Sequence, residues 1–217
     1  MIVACVQSMG ERSEGLCVEL ISRQVDKVHV VRGYSRWEAI YRSWELGIGS
    51  DIYVSLPCDM LVAPGAVERL ADYLDVYDRV SGRCISKFRG NTVGGISVYN
   101  PNILPELMRI SKEKYKDSLR PESDPIVRHF HYKVTEVMTG YHEYELDYRE
   151  IYDRYVFQLK KHPAVRRMKD KWYKLQVGKN KDLDFRAAYK AVSGKEFNMG
   201  EKPPLTDYDR VIKKMRL

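Results

Sequence analysis

An aspartate stands at position 59, just past the apolar run Asp51–Leu56, in the order Leu56–Pro57–Cys58–Asp59–Met60. A carboxylate placed directly after a strand either projects toward a ligand or closes a turn or caps a helix. Of the four histidines that follow, three lie before residue 143: His129, His131 and His142. The first two have the i, i+2 spacing that shares one face of a strand and separates on a helix. His142 falls on an expected edge strand, where a histidine reads by itself as a surface group. Acids gather again at Arg120–Pro121–Glu122–Ser123–Asp124–Pro125. Ser-Asp-Pro is a helix N-terminal signal, and Asp124 or Glu122 there can cap, take a proton, or both. Gly94–Gly95 interrupts a strand pattern, which marks either a bulge or a close backbone approach by a ligand.

These residues need a frame. MIVACVQ at 1–7 reads as a buried strand, and Cys17, Leu20, Ile21 and Gln24 have helical spacing over about 11–24. VHVVR at 28–32 is a second strand. Trp37, Ile40, Tyr41 and Trp44 follow at i, i+3, i+4, i+7, an amphipathic helix closed by Gly47. DIYVSL is the third strand, and a helix is expected over about 65–77. Alternating strand and helix implies parallel strands, and ligands of such sheets bind beyond the strands' carboxyl ends. Asp59 lies at one such end and Gln7–Ser8–Met9–Gly10 at another. Farther on, the pattern predicts strands at 84–88 and 92–100, a helix to about 115, a helix at 125–133 and a strand near 134–145. Helices are then expected at 147–161, 164–176 and 182–192.

The run DIYVSLPCDMLVAPGAVERLADYL resembles the signature turn of GT-A glycosyltransferases, and of glycosyltransferase family 2 in particular. In that family a strand ends in Asp-x-Asp, passes through a few apolar residues to Pro-Gly or Pro-Asp, and enters a helix. Asp59 takes the second aspartate's place and Pro57 the first's. GYHEYELDYREIYDRYVFQLKKH resembles the closing segment of some members, with His142 at the histidine position. The resemblance covers about residues 1–162. It implies an α/β GT-A fold, a Rossmann-like mixed sheet with helices on both faces, over residues 1–146. A basic helical extension over 147–217 would pack on or beside it. It further implies that Mn²⁺ or Mg²⁺, held by Asp59 and His142, neutralises the leaving nucleotide diphosphate as a Lewis acid. Asp124, with Glu122 as the substitute, would be the general base of an inverting transfer from a nucleotide-diphosphate sugar to a glycan, lipid-linked or protein hydroxyl. Gln7, Arg32, Pro57, Cys58, Gly94 and Gly95 would line the donor site. A degenerate, non-catalytic nucleotide-sugar binder is the alternative, since one acid of each expected pair is missing. A nucleotidyltransferase normally carries a Gly-rich, basic first loop, whereas Gln7–Glu11 holds one glycine and no lysine.

Composition sets the remaining bounds. The chain has 217 residues, 44% hydrophobic and 31% charged, enough for a sizeable core. Cys5, Cys17, Cys58 and Cys84 show no paired spacing and read as reduced thiols of a cytoplasmic protein. The N-terminus lacks the pattern of a signal peptide. Residues 160–181 carry nine basic side chains and one acid. Against a chain total of +7, everything else sums to about −1. Within this stretch Ala164, Val165, Met168, Trp172 and Leu175 are expected to form one helical stripe. Such a helix packs on the catalytic domain or lies on an anionic membrane. Nucleic-acid binding, with Trp172 and Tyr173 stacking on bases, is the weaker reading, because a binding arm has no need of the near-neutral α/β region before it.

Overall fold

Ile2–Ser8 forms β1, with Val3, Ala4, Cys5 and Val6 all buried. A strand covered on both faces reads as an unbroken apolar run, the pattern of central parallel strands. The computed structural model describes residues 1–32, 36–115, 123–161, 163–177, 182–202 and 213. In it β1 lies between two parallel partners, β2 (Lys27–Arg32) and β3 (Ile52–Pro57). The helices α1 (Glu14–Ser22) and α2 (Arg36–Gly47) connect them. Beyond β3 the sheet becomes mixed. β5 (Arg79–Ser86) pairs antiparallel with β6 (Thr92–Tyr99), which itself runs antiparallel to β3. β7 (Tyr132–His142) is parallel to β5, and the short β4 (Met60–Val62) is antiparallel to β7. The strand order is β2-β1-β3-β6-β5-β7-β4. Only Cys58 and Asp59 separate β3 from β4, yet β4 pairs at the far edge, so the sheet curls back toward β3.

Side chains alternate between the two faces of these strands. Ala4, Val6, Val54 and Leu56 pack with Leu16, Leu20 and Ile21 of α1 and with Val67 and Leu70 of α3 (Ala66–Ala71). Cys5, Tyr53 and Tyr99 pack on the opposite side with Ile40 and Trp44 of α2. Leu104 and Leu107 of α4 (Leu104–Lys114) and Ile126 of α5 (Asp124–His129) complete that second cluster. The expected α/β class, a mixed sheet with helices on both faces followed by C-terminal helices, is therefore present. A third cluster joins Phe88, just past β5, to α6 (Tyr148–Lys161), α7 (Lys169–Val177) and α8 (Leu183–Val192). Phe88, Tyr155 and Trp172 meet edge to face, with ring centroids 4.7–6.2 Å apart. Each such pair adds about 0.5–1.5 kcal/mol beyond area burial. Among the described residues no helix is long and apolar enough to cross a membrane.

Several element bounds differ from expectation. β5 starts at Arg79, not 84, and the helix expected over 65–77 is only the six residues of α3. The helix expected at 125–133 ends at His129, and β7 ends at His142, where Glu143 takes φ 67°. The span 164–176 is two pieces, a 3₁₀ turn Pro163–Met168 and then α7. Three residues per turn instead of 3.6 rotates the first piece out of phase with the second. The expected stripe is accordingly broken: Trp172 is buried, while Ala164 and Leu175 are exposed.

Candidate functional site

β1 connects outward to β2 on one side and the chain then returns to β3 on the other. The crevice beyond the carboxyl ends of β1 and β3 is thus the point where strand order reverses, the common ligand position in open α/β sheets. Ser8–Glu11 leaves β1 there and Cys58–Asp59 leaves β3. The backbone N–H of Cys58 donates to the Gln7 carbonyl at 3.0 Å, which ties the two ends together.

The fold brings Asp59 and His142 together, with His142 Nε2 3.2 Å from Asp59 Oδ2. Two structural causes lie behind this. β4 pairs Met60 directly with His142, and the Glu143 N–H donates to the Asp59 carbonyl at 3.1 Å. Gly140 permits the approach: at φ 140° its missing Cβ would lie 2.0 Å from the Leu61 carbonyl oxygen.

The rest of the cluster was not foreseen. Arg154 of α6 donates through Nη1 to the same Oδ2 of Asp59. The same nitrogen lies 3.8 Å from Glu143 Oε1. Glu143 also accepts from Ser86 Oγ at 2.6 Å and from Tyr155 Oη at 3.1 Å. Glu143 Oε2 is 3.8 Å from His142 Nδ1. Two carboxylates, a guanidinium and an imidazole therefore form one connected group. Arg154 left a sequence signal: it shares a helix face with buried Ile151 and Tyr155, at i+3 and i+4 from Ile151. Glu143 left none, because an α-left glutamate is not encoded in any periodicity.

The electrostatics follow from this packing. Burial alone would raise the Asp59 carboxyl, but the charges of His142 and Arg154 outweigh it and hold Asp59 well below the usual carboxylate range. Burial works against the His142 imidazolium as well, and Asp59 overcomes it, so the imidazole is raised above 6.5. Arg154 is driven higher still by Asp59 and Glu143 against its own desolvation.

Whether these residues suit a divalent cation can be judged from the donor set. Mn²⁺ or Mg²⁺ prefers several oxygen ligands, mostly anionic. Here the one carboxylate oxygen within reach of His142 already carries a guanidinium. Among the described residues no group of three His, Cys, Asp or Glu side chains could hold a metal ion. As arranged, Asp59 and His142 do not fit a metal shell.

The other expected site residues are placed as follows. Gln7 points into the protein, its Nε2 donating to Ser43 Oγ at 3.1 Å and Ser55 Oγ at 3.2 Å. Arg32 is exposed and forms a two-point pair with Glu14, with Nε 2.7 Å from Oε2. Pro57 is exposed at the end of β3 and its carbonyl accepts the Cys17 thiol. Cys58 is buried, and its thiol donates to Glu11 Oε2 at 2.7 Å. Burial and that carboxylate push the thiol far up, so it stays protonated. Gly95 has a packing role: a Cβ there would lie 2.1 Å from Thr139 Oγ1, opposite a register shift in β5. Of the two expectations for Gly94–Gly95, the bulge is the one present. Gly94 faces open space. Asp124 opens α5, whose Ile126 packs in the second cluster, whereas the side chains meeting Asp59 come from β7 and α6. Glu122 lies outside the described residues. His129 bonds Tyr115 Oη at 3.2 Å and ends α5, so it and His131 fall outside the Asp59 group.

No protein-family model matches the chain, and no curated protein does. Solved structures give partial likenesses. The bifunctional IspDF from Campylobacter jejuni has a TM-score of 0.47 at 12% identity, covering 62% of this chain and 49% of its own, so the chain spans about half that length. The 4-diphosphocytidyl-2C-methyl-D-erythritol synthase from Anaerococcus prevotii gives 0.47 at 12% identity over 67% and 92% of the two chains. A glycosyltransferase involved in the glycosylation of the major capsid of PBCV-1 gives 0.39 at 12% identity over 62% and 81%.

Proposed function

We propose that the chain is a glycosyltransferase that moves a sugar from a nucleotide-diphosphate sugar to a hydroxyl acceptor. One observation carries the reading: a connected group of four ionisable side chains, Asp59, His142, Glu143 and Arg154, sits at the crevice where strand order reverses. Strongly shifted ionisable groups in such a place mark functional sites. Two non-glycine residues with left-handed backbone, Glu143 at φ 67° and Glu145 at φ 54°, bracket its edge. Strained conformations of this kind cost about 1–3 kcal/mol each and collect at sites of function. The nucleotide would lie along Ser8–Glu11, with its diphosphate toward His142 and Arg154. Charge that develops on the leaving diphosphate is then met by groups already in position. An inverting displacement needs a base for the acceptor's proton, and Asp124, which opens α5 outside this four-residue group, is the residue proposed for it.

The test is nucleoside-diphosphate release from a panel of nucleotide sugars offered with simple hydroxyl acceptors. Release from one donor is expected, and Asp124→Asn should lower it about 10²–10⁴-fold with donor affinity unchanged. A second reading, a nucleotide-sugar binder without turnover, is favoured by the ion-paired, inaccessible carboxylate of Asp59. Donor binding with no release would establish it. A lipid-linked acceptor would approach across Arg166, Arg167, Tyr173 and Lys174, all exposed on the C-terminal surface. Anionic liposomes should then co-sediment with the chain in low salt and release it in high salt.

A further inference from the structure

We infer that the donor's diphosphate is met in this chain by the guanidinium of Arg154 and the ring N–H groups of His142, with the carboxylates of Asp59 and Glu143 buried behind them and no divalent cation between. The inference rests on the crevice being a nucleotide-diphosphate site. Its physical basis is the layering of charge. The side chains of Asp59 and Glu143 are 2% and 7% exposed, and those of His142 and Arg154 are 22% and 23% exposed. The carboxylates are inside and the imidazole and guanidinium are outside. A ligand arriving from solvent therefore meets these two hydrogen-bond donors, each backed by a carboxylate that fixes its position.

The same layering opposes a metal. To coordinate an incoming ion through Oδ2, the oxygen that faces His142, Asp59 would have to release Arg154, whose other acceptor, Glu143 Oε1, is 3.8 Å away. Parting a buried pair leaves an uncompensated charge in a low-dielectric place, which is strongly unfavourable. Glu143 completes the arrangement. Its left-handed φ of 67° accompanies an inward carboxylate, held by Ser86 Oγ and Tyr155 Oη. Arg154 uses Nη1 for both carboxylates, which leaves the Nη2 edge of its fork without an acceptor among the described residues. A guanidinium edge of that kind suits two oxygens of a phosphate. The arrangement thus does with fixed protein charge what the sequence resemblance assigns to Mn²⁺ or Mg²⁺. Asp59 becomes a positioning residue, acting through His142 and Arg154.

The experiment is calorimetric titration of the full chain with UDP, GDP, CDP, ADP and dTDP, once in EDTA and once in Mn²⁺. The expected result is binding of one nucleotide in both arms, with dissociation constants within about threefold. In EDTA, His142→Gln and Arg154→Lys should each weaken binding about 10- to 100-fold, the effect of losing a charged or forked hydrogen bond. Arg154→Lys keeps the charge on Asp59, and His142→Gln alters the more exposed part of the group, so a melt by circular dichroism separates lost binding from lost folding in both. Binding confined to the Mn²⁺ arm would overturn the inference and leave the diphosphate site standing. Binding in neither arm would overturn both. Full-strength binding by two folded variants in EDTA would also overturn the inference.

Discussion

Two buried charge networks occupy neighbouring parts of the molecule, and they differ in how their charges are arranged. In the first, Asp59 and Glu143 lie beneath His142 and Arg154. In the second, Lys87 at the end of β5 pairs with Asp184 and lies 3.3 Å from Asp182, and Asp184 also holds Lys202. The second network is centred on Asp184, Lys202 and Lys87, whose side chains are 9%, 11% and 17% exposed, and its open edge is an anion, Asp182 at 37%. Its members also have structural duties. The Asp182 carboxylate caps α8 by accepting the Asp184 N–H at 2.9 Å, and the Lys202 N–H donates to Asp147. Burial would lower the Lys87 ammonium, but its two aspartates outweigh this and raise it. Opposite charges at similar depth, as in Asp184, Lys202 and Lys87, fasten one segment to another. Opposite charges at unequal depth present the shallower sign to solvent. Only the first network lies at the strand-end crevice with strained backbone beside it.

Cutting each network is the sharpest way to break this contrast. Asp59→Ala strands Arg154 and His142 and should cost about 3–5 kcal/mol in urea unfolding, together with nucleotide binding. Lys87→Met should cost less, about 1–3 kcal/mol once partial exposure is allowed for, and should leave nucleotide affinity within about twofold. A large loss of affinity in Lys87→Met would erase the distinction between the two networks.

The glycine pair sharpens the boundary of the site. Gly95→Ala drives a Cβ to 2.1 Å from Thr139 Oγ1 and should cost about 1–3 kcal/mol, read as a lowered melting temperature. Gly94→Ala meets nothing within 4 Å and should change stability by less than about 0.5 kcal/mol. Equal effects at the two positions would remove the packing explanation.

The smallest effects are in pH dependence, and their signs are fixed. The His142 imidazole is raised above 6.5 in the folded chain, so its contribution is complete below about 6.5 and fades as pH rises through the higher folded value. Asp59 is depressed below 3.8, so its contribution is complete above about 3.8 and is lost as pH falls toward its lower folded value. Melting temperature measured across these two windows should fall at both ends. The alkaline fall should shrink in His142→Gln and the acid fall in Asp59→Asn.

Much of the frame was legible in the sequence because it is local. The runs MIVACVQ, VHVVR and DIYVSL and the Trp37–Trp44 spacing each declare their own element, and they place Asp59 at a strand end without further information. His142 was found by resemblance. What periodicity could not show was pairing between distant segments. β4 is three residues long and exists because Met60–Val62 meets Gly140–His142. Arg154 joins the site because α6 packs on Phe88, a contact across the sheet's far end. The carboxylate expected to face a ligand was legible by position, but its depth was not, since depth depends on which cation lies above it.

The most direct measurement is the ring resonance of His142, assigned among the five histidines by its loss in His142→Gln. The account predicts that adding the nucleoside diphosphate that binds in EDTA shifts this resonance and raises the imidazole's pKa, as a phosphate beside the ring must. It also predicts a lower starting pKa in Asp59→Asn. Saturating nucleotide that leaves the His142 resonance and its titration unchanged would contradict a diphosphate site at this crevice.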